Sequence, residues 1–248
     1  YNRETGYELY QAWNSPGFPR MIAVTFQHPT PFYDDSYAIN SANVGPYGDA
    51  IMQELIPYVE SHFRIIRQPY ARVLSGTSTG GWESLALQIF HPEFFGGAWA
   101  CAPDPVDFRR LLLVDIYNDS NAYIDTQDRQ AQSPVDDWFR PERPMSRGPN
   151  GQLFLTMRQE CQRELALGSH GRSADVFDNY DAMFGPVGED GYPKRLWNRQ
   201  TGQIDHGVAA YWREHGYDLR AYLAKNWASI APKLIDKIHV DVGDMDNY

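Results

Sequence analysis

Over its first hundred residues the chain switches repeatedly between two hydrophobic patterns, and this constrains its fold more than any other feature. Met21 to Gln27 (MIAVTFQ) is an apolar, β-branched run bounded by Pro19 and by His28-Pro29, and it reads as a buried strand. Before it, Tyr7 to Trp13 reads as a short helix that ends at NSPGFP. Ile51, Leu55, Val59 and Phe63 then recur at four-residue spacing, one apolar face of a helix that Pro57 should bend or break. A short strand at Arg72 to Ser75 follows, then a glycine-rich turn. A helix is expected from about Thr79 to Phe90 with Trp82, Leu85, Ala86 and Ile89 inward, and another strand at Gly96 to Ala102. Strand, helix, strand, helix, strand implies parallel strands joined by helical crossovers, an α/β sheet.

The middle of the chain has a different character. Between about Pro103 and Pro232 there are few strand signals besides Leu111 to Tyr117 (LLLVDIY). Leu153, Met157, Cys161 and Leu165 share four-residue spacing, and VAAYWREH and YDLRAYLAKNW also read as helical. RPERPMSRGPNG, GPVGEDGYP and RQTGQ carry turn chemistry. Residues 103–233 therefore read as a long, mostly helical insertion over the sheet, with residues 1–102 and 234–248 forming the core. Lys237 to Val242 reads as a last strand that runs into an acidic turn. Trp138, Trp197, Trp212, Trp227, Tyr180 and Tyr192 give the insertion enough aromatic surface for a small core of its own, or for a wall over a ligand.

The turn between the second strand and its helix is Ser75 to Gly81, SGTSTGG, a Gly-x-Ser-x-Gly pattern with Ser78 at its centre. Chance supplies the bare pattern in about one chain in ten of this length, so its context has to carry the weight. A nucleophile elbow needs a strand before it, a helix after it and small neighbours that let chain segments approach, and all three are met here. The helix N-terminus adds unpaired N–H groups and a partial positive charge, with the Thr79 N–H as a candidate oxyanion donor. A Walker loop would need a lysine that this turn lacks.

Composition narrows the remaining classes. A formal net charge of −10 is the wrong sign for a broad nucleic-acid surface. No apolar stretch approaches the roughly 18 residues of a membrane helix, and the opening segment lacks the basic start and apolar run of a signal peptide. The two cysteines, Cys101 and Cys161, form no Cys-x-x-Cys pair, so the sequence offers no zinc-ligand spacing. Neither their pairing nor the redox compartment follows from the sequence. Asn118-Asp119-Ser120 is a glycosylation-type triplet of a kind chance supplies readily.

Glu54-Leu55-Ile56-Pro57-Tyr58, the Gly76 to Gly81 elbow and His91-Pro92-Glu93-Phe94-Phe95 together resemble the putative-esterase branch of the α/β-hydrolase superfamily, which includes esterase D, feruloyl esterase and mycolyltransferase-like proteins. The resemblance covers about the first hundred residues and the last dozen. It implies an α/β-hydrolase fold and a triad in the chain order serine, acid, histidine. The acid belongs in a loop after a late strand, which points to Asp246, with Asp244 as the neighbouring competitor and Asp241, inside the strand, the weakest of the three. A solvated acidic turn or a loose cation site is the alternative. None of the seven histidines, His28, His62, His91, His170, His206, His215 and His239, follows Asp246. The strand expected to carry the second oxyanion donor is also missing ahead of the first one seen. The family pattern therefore implies a chain truncated at both ends; a histidine of the insertion (His170, His206 or His215) in that role, or lost catalysis, are the alternatives.

The resemblance implies a serine hydrolase of carboxylic esters. Ser78 would be the nucleophile, Thr79 an oxyanion donor and Asp246 the acid, working through an acyl-enzyme without a metal or organic cofactor. Transfer of the acyl group to a sugar hydroxyl, or a hydrolase-like fold kept for binding, are the alternatives. The expected partner is a small-molecule or carbohydrate-linked ester, with no nucleic acid and no membrane span. Relatives occur in the cytoplasm and outside it, and neither compartment nor oligomeric state follows from the residues.

Overall fold

A computed structural model describes residues 3–124, 142–244 and 246 of the chain. Trp138 falls outside the described residues. Helix α1 (Arg3–Asn14) leads into residues 19–30, which run without strand pairing, and Met21, Ile22 and Val24 are exposed. The buried strand expected at Met21 to Gln27 does not form. β-Branched residues favour an extended backbone, but a strand also needs a hydrogen-bonded neighbour, and among the described residues this segment pairs with none.

Two-residue strands β1 (Asn40–Ser41) and β2 (Gly45–Pro46) precede α2 (Tyr47–Ala50). A π-helical turn, Ile51–Leu55, then connects α2 to α3 (Ile56–His62). Pro57 has no N–H and its ring crowds the carbonyl four residues back. The widened turn just ahead of it lets the helical path continue instead of breaking.

Strand β3 (Val73–Ser78) passes directly into α4 (Thr79–Phe90), and β4 (Gly97–Pro103) returns parallel to β3. Helix α4 is buried from Gly81 to Ile89, including all four expected inward residues. Hairpin strands β5 (Pro144–Arg147) and β6 (Leu153–Thr156) were not expected from the turn-rich sequence around them. Helices α5 (Met157–Leu167), α6 (Val176–Phe184), α7 (His206–Glu214) and α8 (Leu219–Leu234) follow, and β7 (Ile238–Asp241) then pairs parallel to β4. The sheet order is β3-β4-β7, so a mixed α/β fold is built on a parallel sheet.

Two expected elements take a different form. Leu111 to Tyr117 is a tight turn and not a strand. Leu111 and Val114 bridge to each other across left-handed Leu112 and Leu113. Leu111, Leu112, Val114 and Ile116 are all fully buried. Consecutive apolar residues can fill a core from a turn as well as from a strand, and periodicity alone does not separate the two. Leu153 belongs to β6 and not to the helix that its spacing suggested. Thr156 and Gln159 form a reciprocal capping box that starts α5 at Met157.

One hydrophobic cluster joins Trp82, Leu85 and Ile89 of α4 and Ala100 of β4 to Phe177, Tyr180 and Phe184 of α6 and to Trp197 and Trp212. The helical segment and the sheet thus share a core, in which Phe184 and Trp212 meet edge to face at 5.3 Å. Trp227, by contrast, is exposed. Cys101 is exposed and Cys161 buried, and both are free thiols. Among the described residues no helix is long and apolar enough to cross a membrane.

Candidate active site

The backbone at the end of β3 explains why this turn needs glycine. A Cβ on Gly76 would lie 2.2 Å from both the carbonyl carbon and the oxygen of Gly80, closer than any side chain can approach. That contact folds the first turn of α4 back over β3. Ser78, at the junction, adopts φ 56° and ψ −124°, a conformation that an L-residue holds only under constraint from its surroundings. Ser78 is exposed. The N–H of Thr79 belongs to the first turn of a twelve-residue helix, where donors have no intrahelical acceptor.

The Ser78 hydroxyl donates to Asp104 Oδ1 at 3.0 Å, and the Thr79 hydroxyl donates to Oδ2 at 3.2 Å. Asp104 follows β4 directly and is 2% exposed. Its carboxylate also accepts the Tyr37 hydroxyl and, at 3.5 Å, the Tyr180 hydroxyl. Left-handed Tyr37 and Ala38 turn the chain at the point from which Tyr37 reaches this carboxylate. Burial pushes the Asp104 carboxyl above the usual carboxylate range, while the four hydroxyl donors pull it back.

Two more carboxyls share this region. Glu83, one turn along α4, is pushed up to about 8 by burial and by the charges of Asp35 and Asp104. Asp35 is pushed up to about 6, chiefly by burial. His28 stands beside Glu83 with Nε2 3.5 Å from Oε1. His28 Nδ1 accepts the backbone N–H of Ser36 at 2.8 Å, so its lone pair is occupied and the ring's proton sits on Nε2. Burial lowers the His28 pKa, in keeping with a neutral ring. With its basic nitrogen occupied, His28 is not placed to take a proton from Ser78. His62, His170, His206, His215 and His239 have ring contacts with Tyr58, Asp190, the Ile116 carbonyl, Tyr211 and Trp99 respectively.

Asp246 is exposed in the turn after β7, where its N–H donates to the Gly243 carbonyl at 3.0 Å. Asp241 stands opposite Cys101, and Cys101 opposite Thr77. The turn carrying Asp244 and Asp246 therefore leaves the sheet at the same carboxyl end as Ser78, from the opposite outer strand, about 10 Å away at ordinary strand spacing. Ser78 and Thr79 meet on one carboxylate, and that carboxylate is Asp104. Sequence reasoning did not single out Asp104. The signal available was its place just past the carboxyl end of the strand beside the elbow, where ligands gather in parallel sheets.

Elsewhere, an open groove of about 680 Å³ is lined by Lys194, Arg195, Trp197, Arg199, Gln203 and His206 among others, and by none of Ser78, Thr79 or Asp104. Glu160, Glu164 and Asp175 bring carboxylate oxygens within 4.8 Å of one another. Arg163 pairs with Glu160 and Asp175, and Arg199 pairs with Glu164, so arginines already balance the charge that a cation would.

No curated protein matches the chain. A family model described as Putative esterase matches residues 18–203, three quarters of the sequence. The match runs through the elbow and on across Asp104 into the helical segment. A strand that turns sharply into a helix at Ser78, beside a second parallel strand, is the local architecture expected of such a protein. The chain belongs to the putative esterase family of the α/β-hydrolase superfamily.

Proposed function

We propose that the chain is a serine esterase acting through Ser78. The observation that carries this reading is the exposed Ser78, held at φ 56° between a strand and the N-terminus of a buried helix. Ser78 Oγ forms a bond to the ester carbonyl carbon while its proton passes to an imidazole oriented by Asp246. The Thr79 N–H donates to the carbonyl oxygen as it gains negative charge. The carbon–oxygen bond to the alcohol then breaks, and the alcohol leaves with the proton held by the imidazole. Water attacks the acyl-enzyme by the same route in reverse and releases the acid.

Support for Asp246 comes from its turn leaving the sheet at the same carboxyl end as Ser78. In the family order the histidine follows the acid. The test is intact-mass analysis after treatment with a fluorophosphonate probe, alongside hydrolysis of short-chain p-nitrophenyl esters. One adduct that maps to Ser78 and is lost in Ser78→Ala is the expected result. An unlabelled, folded protein that hydrolyses none of these esters would overturn the reading.

A further inference from the structure

The elbow presents two hydroxyls in succession, and both go to the same buried carboxylate. Ser78 donates to Oδ1 of Asp104 and Thr79 to Oδ2, while the Asp104 N–H donates to the Ser78 carbonyl at 3.3 Å. Residues 78 and 104 are thus tied through side chain and backbone in opposite directions. The phenols of Tyr37 and Tyr180 complete the shell from two other parts of the chain. A hydroxyl that gives its hydrogen to a carboxylate keeps its lone pairs for an electrophile, and the neighbouring negative charge opposes a second one on the same oxygen.

We propose that Asp104 is the positioning residue of Ser78. It holds Oγ by its hydrogen, so that the lone pairs face an incoming ester, and its charge keeps residue 78 protonated until attack. This rests on the reading of Ser78 as the nucleophile. At attack the Oγ hydrogen turns from Asp104 to the imidazole, and its transfer there is concerted with formation of the bond to carbon, because a free alkoxide beside Asp104 is disfavoured.

The groups facing Asp104 are Tyr37 from the segment before β1, Ser78, Thr79 and Glu83 from the elbow and α4, and Tyr180 from α6. Asp35 adds like charge, and Asp104 in turn acts on the Tyr33 phenol. His28 enters only through Glu83.

The test replaces Ser78 by cysteine in a Cys101→Ser background, leaving the buried Cys161 in place. Alkylation of residue 78 by iodoacetamide is followed against pH by mass spectrometry. A thiol beside an ionised carboxylate should titrate above its ordinary value of about 8.5. Adding Asp104→Asn, which keeps the shape of the side chain, should lower the midpoint by about one unit, or about tenfold in thiolate at a fixed pH. A midpoint that does not move, in a variant whose circular dichroism and melting are those of the parent, would overturn the proposal.

If Asp104→Asn does not fold, Tyr37→Phe serves in its place. It removes one donor, raises the Asp104 pKa and should move the pH profile of Ser78 phosphonylation to higher pH. An unmoved profile there also counts against Asp104. Alkylation needs no ester turnover, so absence of fluorophosphonate labelling in the native protein would sink the esterase reading separately.

Discussion

Gly76 and Gly80 pack backbone against backbone, with the position of a missing Cβ on Gly76 2.2 Å from the Gly80 carbonyl. The contact is one-sided, since a Cβ on Gly80 would meet nothing within 4 Å. Gly76→Ala should therefore cost at least the upper end of the about 1–3 kcal/mol usual for overpacking, and should abolish labelling of Ser78. Gly80→Ala, in the first turn of α4, should be neutral or stabilise by up to about 1 kcal/mol. Urea denaturation midpoints of the two variants give the comparison, and equal losses would show that the asymmetry is wrong.

Strain at Ser78 can be separated from its chemistry. Ser78→Ala and Ser78→Gly both lose the hydroxyl that Asp104 accepts, so they differ mainly in how they bear φ 56°. Glycine holds that conformation without a Cβ clash, and Ser78→Gly should be more stable than Ser78→Ala by about 1 kcal/mol. Neither should label. Indistinguishable thermal midpoints would mean the elbow stores no appreciable strain.

Glu83 supplies a stability that depends on pH. Its carboxyl is pushed up to about 8 from 4.5, so the folded chain binds a proton more tightly than the unfolded one. The stabilisation is complete below about pH 4.5 and is lost as pH rises towards about 8. Glu83→Gln removes this titration, so the fall in melting temperature between pH 5 and 8 should shrink by a few degrees. In a chain this long about 1 kcal/mol corresponds to about 2–4 °C. Asp35, raised to about 6, should leave a smaller residual slope.

In the helical segment Arg199 is 2% exposed and reaches Glu164 at 3.1 Å, Asp181 at 2.7 Å and Asp178 at 3.5 Å. Arg199→Met would leave buried Glu164 and Asp181 without their paired cation, Asp178 keeping Arg195 at 3.7 Å, and a loss of about 3–5 kcal/mol is expected at neutral pH. The loss should narrow on acidification, because burial already pushes Glu164 up to about 8 and Asp181 to about 6. Denaturation at pH 7.5 and at pH 5 checks both the size and the narrowing.

These sites differ in how far the sequence announces them. Val73 to Phe90 was legible because strand, glycine turn and amphipathic helix all act locally, and each leaves its own period. Met21 to Gln27 and Leu111 to Tyr117 misled for a common reason. An apolar run records that a segment is β-branched or buried, but not whether a neighbouring strand lies beside it. Asp104 left only one local trace, its place just past the carboxyl end of a strand. It is a single acid in the stretch Ala102-Pro103-Asp104-Pro105, and its meaning comes from Tyr37, Ser78 and Tyr180, which meet it only when the chain is folded. The occupied nitrogen of His28 is hidden in the same way, since it depends on a backbone N–H eight residues on.

The sheet order β3-β4-β7 also sets a timetable. The elbow, its helix and the partner strand lie within residues 73–103, so their contacts close short loops and can form early. Strand β7 must wait for the whole helical segment to emerge and fold before it finds β4. During synthesis, then, the chain acquires its strained serine long before it acquires the turn that bears Asp246. Under the mechanism proposed for Ser78 and Asp246, the part most distant in sequence arrives last, and the serine stays chemically quiet until then.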